Sequence, residues 1–393
     1  MKNFMILNIF QILILKKYYY IYKYIIRMSI IPDCTLVTAC FCMNKYNSHA
    51  RDINESIKST KTLIEVPCYI VFFGDSITIP LLKKMREKQG LTNLSFFYQV
   101  EPENLWSFQF IEIVKKNREL YWPTRDERTC AETHLITCNK FDFVLKVIES
   151  NPFNTSKFGW IDSFLNDNCS KICEDYNQYK LLYVLNNVTD KFHLQILNVV
   201  DKKFKDPNHK REYYNQYRWL VCGCLFTCGK EIGIKILNRL KENVASTTLM
   251  GYGHGEEMFY LEVLDEFYDD IVKSYGDYGQ ILNNFIKPTK NINYIHNVIL
   301  NKYVQHGFHR EAYDCSQKIL NQIESYELFV GWEEYLSILH QHFIASYYYK
   351  PSSAILTFDK INKLRETNSY IRNEYNKKRN YYDQQFGYVN HLR

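Results

Sequence analysis

Two short stretches hold the side chains that could do chemistry. Residues 157–167, KFGWIDSFLND, open with an apolar run, Phe158 to Ile161, that is broken by the carboxylate of Asp162. Residues 251–257, GYGHGEE, carry three glycines and His254 ahead of the adjacent acids Glu256 and Glu257. A carboxylate at a strand end can hold Mg2+ or Mn2+, hard ions that bind through one or two protein carboxylates and the phosphate oxygens of a substrate. Asp-Ser is equally a good N-cap pair, so Asp162 also has a purely structural reading. In GYGHGEE the glycines permit positive φ and close backbone approach. Burial beside a like charge would raise one glutamate and fit it for base work. The plainer reading is a flexible loop followed by acids that suit a helix N-terminus.

Other candidates are single residues. Arg51, behind the first apolar run, and Lys140, ahead of a helical one, could neutralise phosphates or be ordinary solvated charges. Trp160 reads as a core aromatic or as a stacking platform. No G-x-G-x-x-G follows the first apolar run, and no G-x4-G-K-[ST], G-x-S-x-G or H-E-x-x-H occurs. A phosphate-bearing substrate would therefore rely on a metal or on basic side chains.

The elements that must position these residues alternate. Apolar runs at 34–43, 67–73, 94–100 and 158–161 predict strands, with helical patterns at 52–63, 77–88, 102–116 and 141–149 between them. Further strands are expected at 192–200 and 219–226, and helices at 229–244 and 256–272. Continuously apolar strands alternating with helices imply a mostly parallel, Rossmann-like α/β sheet covered on both faces. From residue 292 the pattern is helical only, which predicts an α-helical C-terminal region over 288–393. In such sheets ligands bind beyond the carboxyl ends of the strands. That rule singles out Thr38 and Ala39, Asp75, Asp162 and Gly223.

Charge argues against nucleic acid. The 393-residue chain has a net charge of +6, but five of its 49 bases precede residue 28 with no acid among them, which leaves 44 bases against 43 acids. The body is neutral and has no concentrated basic face. The apolar run within residues 1–27 is shorter than the roughly 20 residues that span a bilayer. Translation starting at Met28 is the preferred expectation, with a short anchor or an interfacial segment as alternatives; membrane contact is expected only if residues 1–27 are real. The 12 cysteines lack paired C-x2-C zinc spacing and read as reduced core and surface thiols, in keeping with a cytoplasmic location.

Taken in order, TLVTACF, PCYIVFFGD, NKFDFVLKVIESNPFNTSKFGWIDS, CGCLFTCG, GHGEEMFYLEVLDEFYD and SYGDYGQILNN span residues 33–287. This series resembles a glycosyltransferase of the A-type fold, and most closely the HtrL/YibB-type family. The resemblance implies a domain over 28–287 that binds a UDP- or GDP-sugar and passes the sugar to a glycan or protein hydroxyl. It implies a D-x-D-like motif with Mn2+ or Mg2+ on the diphosphate, of which this chain has only Asp162, since Trp160 stands in the partner position. Thr38, Ala39, Arg51, Asp75, Lys140 and Trp160 would lie on the donor side, and Gly223, His254 and Gly255 on the acceptor side. Glu257 or Glu256 would be the base of an inverting enzyme. A catalytically inactive binding module of the same fold is the competing expectation, and a metal-dependent nucleotidyltransferase a more distant one.

Overall fold

The computed structural model describes residues 31–120, 127–163, 165, 178–252, 255–286, 292–377, 379 and 383–384. The leader over residues 1–27, Cys169, Cys173 and His254 lie outside the described residues.

Seven strands form one sheet: β1 Cys34–Cys40, β2 Tyr69–Gly74, β3 Ser95–Gln99, β4 Lys157–Ile161, β5 Phe192–Ile196, β6 Leu225–Gly229 and β7 Ile271–Tyr275. Their order is β3-β2-β1-β4-β6-β5-β7. Pairing is parallel between β1 and β2, β1 and β4, β2 and β3, and β5 and β7; β6 alone runs antiparallel to both its neighbours. The architecture is thus the expected mostly parallel α/β sheet followed by helices. Among the described residues no helix is long and apolar enough to cross a membrane.

Side-chain alternation sorts each strand between two cores. Val37, Phe158, Trp160 and Phe226 enter one apolar cluster, while Leu36, Ile70, Phe72, Ile161 and Leu225 enter the other. The helix Lys140–Ser150 covers the first face with Phe143, Val144 and Val147. The same cluster runs on into the C-terminal helices through Ile295, Ile299 and Leu300. Those helices include His309–Glu324, Trp332–Tyr349, Pro351–Thr367 and Ser369–Lys377.

Three elements differ from the sequence pattern. The run at 219–226 is a strand only from Leu225; before it, the chain is held by a single bridge from Val221 to Ile196 and by Cys222 N–H donating to the Gln195 carbonyl at 2.9 Å. The expected helix at 256–272 is a 3-10 turn, Glu256–Phe259, then a helix, Tyr260–Glu266, then β7. An edge strand of five residues with a central lysine has too little periodicity to stand apart from the helical pattern before it. The α-helix expected from residue 102 starts at Ile111: extended backbone at Leu105 breaks the first 3-10 turn, Pro102–Asn104, from a second, Trp106–Phe110, which runs on into the helix.

One buried charge ties the first half of the sheet together. Arg86 is fully buried; Nη1 donates to the carbonyls of Ile64 and Val66 at 2.8 Å each, Nη2 to Cys68 at 3.2 Å, and Nε to Ser95 Oγ at 2.7 Å. Burial lowers its pKa to about 10, which leaves it charged at neutral pH. Arg86→Met strands these acceptors and is expected to cost about 3–5 kcal/mol in urea unfolding. A loss below about 1 kcal/mol would show that water replaces the guanidinium there.

Candidate active site

The sheet order reverses between β1 and β4, because β2 and β3 extend from one side of β1 and the remaining strands from the other. At the carboxyl ends of those two strands opens a cleft whose walls include Ala39, Lys140, Trp160, Asp162, Glu256 and Glu257.

Each of these arrives for a local reason. Alternation along β4 puts Trp160 and Asp162 on the same side, two residues apart. The indole Nε1 therefore donates to Asp162 Oδ1, at 2.5 Å. Trp160 is held by stacking on Phe143, which itself stacks on Phe73 at a centroid distance of 4.4 Å. Lys140 is the first residue of its helix, where a cation opposes the helix dipole. Its side chain is 1% exposed, and its ammonium donates to Glu256 Oε1, to the Gly223 carbonyl at 3.0 Å and to Asp162 Oδ1 at 3.4 Å. Antiparallel β6 delivers that carbonyl: Leu225 pairs with Ile161, so the chain just before β6 lies against the end of β4, and Asp162 N–H donates to the Cys224 carbonyl at 2.8 Å.

Two glycines make room. A Cβ on Gly223 would stand 2.6 Å from Glu256 Oε1 and 3.2 Å from Glu257 Oε1. Gly255 has φ +131°, and a Cβ there would meet the Tyr217 ring at 2.4 Å. Tyr217 OH donates to Glu257 Oε2 at 2.7 Å.

The electrostatics separate the adjacent glutamates. Burial disfavours the Lys140 cation, but Asp162, Glu256 and Glu257 outweigh it and hold the ammonium well above its usual range. Glu257 is pushed up to about 8, first by burial and then by the Glu256 charge, against the pull of Lys140 and the Tyr217 hydrogen bond. Glu256 is the partner of the ammonium, and Glu257 is the acid poised to exchange a proton near neutrality.

No protein-family model matches the sequence, and no curated protein matches it. Among solved structures, the chain is similar to the apo form of mouse xyloside xylosyltransferase 1, at 9% identity over 61% of this chain and 84% of that one, with a TM-score of 0.34. The chemistry of the cleft is therefore read from its own side chains.

The residues singled out by sequence fall into two groups. Ala39, Lys140, Trp160, Asp162, Glu256 and Glu257 meet at the cleft, with Gly223 and Gly255 packed against its acids and Tyr217. Thr38, Arg51 and Asp75 are not among the lining residues. Thr38 is buried. Asp75 is a cap: Oδ1 accepts from Ile77 and Thr78 N–H, and Oδ2 from Cys42 N–H at 2.6 Å. Arg51 is half-buried just ahead of the helix Ile53–Ser59. The reading of Lys140 as a solvated charge is corrected by its burial. Tyr217, Trp219 and Tyr278 also line the cleft and were not singled out in the sequence; the hint for the first two was the aromatic density of residues 213–219.

Among the described residues no three His, Cys, Asp or Glu side chains gather into a metal site. Asp162 Oδ1 is engaged by Trp160 and Lys140. What the donor set fits is one carboxylate attachment for an ion whose other ligands come from substrate oxygens.

The Glu257 shift makes stability depend on pH. An acid whose folded pKa, about 8, exceeds its ordinary 4.5 favours the fold fully below 4.5 and loses that contribution as pH rises toward 8. Glu257→Gln is expected to gain stability relative to the parent between pH 5 and pH 8, by on the order of 3 kcal/mol. Parallel stability profiles of the two proteins over that range would show an unshifted carboxyl.

Proposed function

We propose that the protein is a glycosyltransferase that moves a sugar from a UDP- or GDP-sugar to an acceptor hydroxyl on a glycan or protein. The observation that carries this reading is a cluster of three carboxylates and one buried ammonium on a cleft at the reversal point of a mostly parallel sheet. The resemblance of residues 33–287 to the HtrL/YibB-type family supports the same assignment.

The geometry supports the following roles. The donor lies over Ala39 and Trp160 with its diphosphate at Asp162. Asp162 is the residue that would hold a Mn2+ or Mg2+ ion, whose chemistry there would be to offset charge on the departing diphosphate. Lys140 spends its three donors on Glu256, Asp162 and the Gly223 carbonyl, so it sets the charge of the site from behind and is a positioning residue. Glu257 is the base: in its ionised form it takes the proton of the acceptor hydroxyl as the acceptor oxygen bonds to the sugar C1 and the bond from C1 to the diphosphate oxygen breaks. Tyr217 orients that carboxylate through its 2.7 Å hydrogen bond. A retaining enzyme would not use Glu257 in this way.

An inactive binding module is the second reading. It is favoured by Trp160, which occupies the partner position of a D-x-D motif and engages the remaining aspartate.

Thermal unfolding with a panel of UDP- and GDP-sugars, with and without Mn2+, separates the two. A matching donor at roughly a hundred times its Kd should add about 2.7 kcal/mol, and chelation should diminish that gain. Asp162→Asn should lose the donor-linked gain and about a hundredfold in transfer rate, with little change in unfolding without donor. No stabilisation by any donor would sink the transferase reading, and a large loss of fold in Asp162→Asn would return that residue to a structural role.

A further inference from the structure

Beside the cleft lies a second hollow, lined by Leu197, Asn198, Trp219, Asp277, Tyr278 and Tyr294. Trp219 and Tyr278 belong to the walls of both spaces. Trp219 is 55% exposed, unusual for the largest apolar ring unless something covers it. Its ring lies 4.7 Å from that of Tyr217, and Tyr217 donates to Glu257, so the exposed indole is one aromatic contact from the acid of the cleft.

The polar groups of the hollow are held in place. Asn198 Oδ1 accepts from Lys302 Nζ at 2.7 Å and from Val199 N–H at 2.9 Å, and its described hydrogen bonds engage that oxygen only, which leaves Nδ2 to donate to a ligand. Tyr294 OH donates to the Leu197 carbonyl at 2.8 Å, so its oxygen remains able to accept. An open indole flanked by fixed donors and acceptors matches a pyranose, which offers a face of C–H bonds and a rim of hydroxyls. Two of these groups, Tyr294 and Lys302, come from the C-terminal helical region.

We propose that this hollow binds an oligosaccharide, with one sugar stacked on Trp219, and that the acceptor of the transfer is therefore a glycan. That the bound saccharide is an acceptor rests on the transferase reading; that the hollow takes a saccharide does not. The sugar over Trp219 is the neighbour of the one whose hydroxyl meets Glu257.

The test uses the full chain on an array of defined oligosaccharides, followed by calorimetry with the tightest one. The parent protein should retain a discrete set of oligosaccharides, Trp219→Ala should weaken the tightest by about tenfold or more, and Trp219→Phe should stay within about threefold. Asn198→Asp removes the Nδ2 donor at nearly constant volume and should weaken the same ligand severalfold. It keeps the test valid if the tryptophan variant folds poorly. An array with no bound oligosaccharide, or equal affinity in the parent, Trp219→Ala and Asn198→Asp, overturns the proposal. Donor binding is read separately on the parent protein. Saccharide binding without stabilisation by any UDP- or GDP-sugar leaves the hollow standing and removes the transferase reading, whereas donor stabilisation without saccharide binding does the reverse.

Discussion

The Lys140 ammonium is buried among acceptors drawn from three distant parts of the chain: the Gly223 carbonyl before β6, the Glu256 carboxylate in a 3-10 turn and the Asp162 carboxylate at the end of β4. Removing one partner of a buried ion pair typically costs about 3–5 kcal/mol, because the other charge is left without compensation. That cost falls on the buried Glu256 contact; Asp162, 3.4 Å away and 23% exposed, is the looser ionic partner, and the Gly223 carbonyl is a neutral acceptor. The cleft inherits its geometry from this constraint, and the helix tolerates a cation at its unfavourable end to supply it.

The same cation divides the labour between two adjacent acids. Glu256 faces the ammonium and is its ion-pair partner. Glu257 faces the Tyr217 hydroxyl, deep enough that burial outweighs every stabilising contact and lifts its pKa toward the physiological range. Chain neighbours thus acquire different chemistry from environment alone. The tight fit of Gly223 against both acids keeps those environments distinct; any side chain there would collide with the Glu256 carboxylate.

The reversed direction of β6 is the topological counterpart. A strand parallel to β4 would bring its own carboxyl end to the cleft and send residues 222–224 to the opposite edge of the sheet. Because β6 is antiparallel, its beginning lies at the end of β4. The irregular stretch that precedes it then carries Trp219 to the junction of the two hollows. The C-terminal helices share a core with the sheet, add Tyr294 to the wall of the second hollow and hold its Asn198 through Lys302.

Much of this was legible in the sequence. Continuous apolar runs marked β1 to β5, and the charge ending KFGWI and the acids of GYGHGEE were visible as departures from pattern. The strand-end rule pointed to Ala39 and Asp162, both of which line the cleft, but it gives the end of a strand and not its face. Alternation sends Ala39 toward the cleft-side core, so its neighbour Thr38 points the other way, and Asp75 turned back to cap its own helix. The short edge strand β7 was hidden in a helical pattern, and the direction of β6 has no signature in local periodicity. The sequence by itself determined the strand and helix alternation, the neutral body and the identity of the acids. Only the tertiary structure decided that Lys140 is buried among them, since its partners lie 22, 83 and 116 residues away and ionic pairing depends on distance in space, which no periodicity encodes.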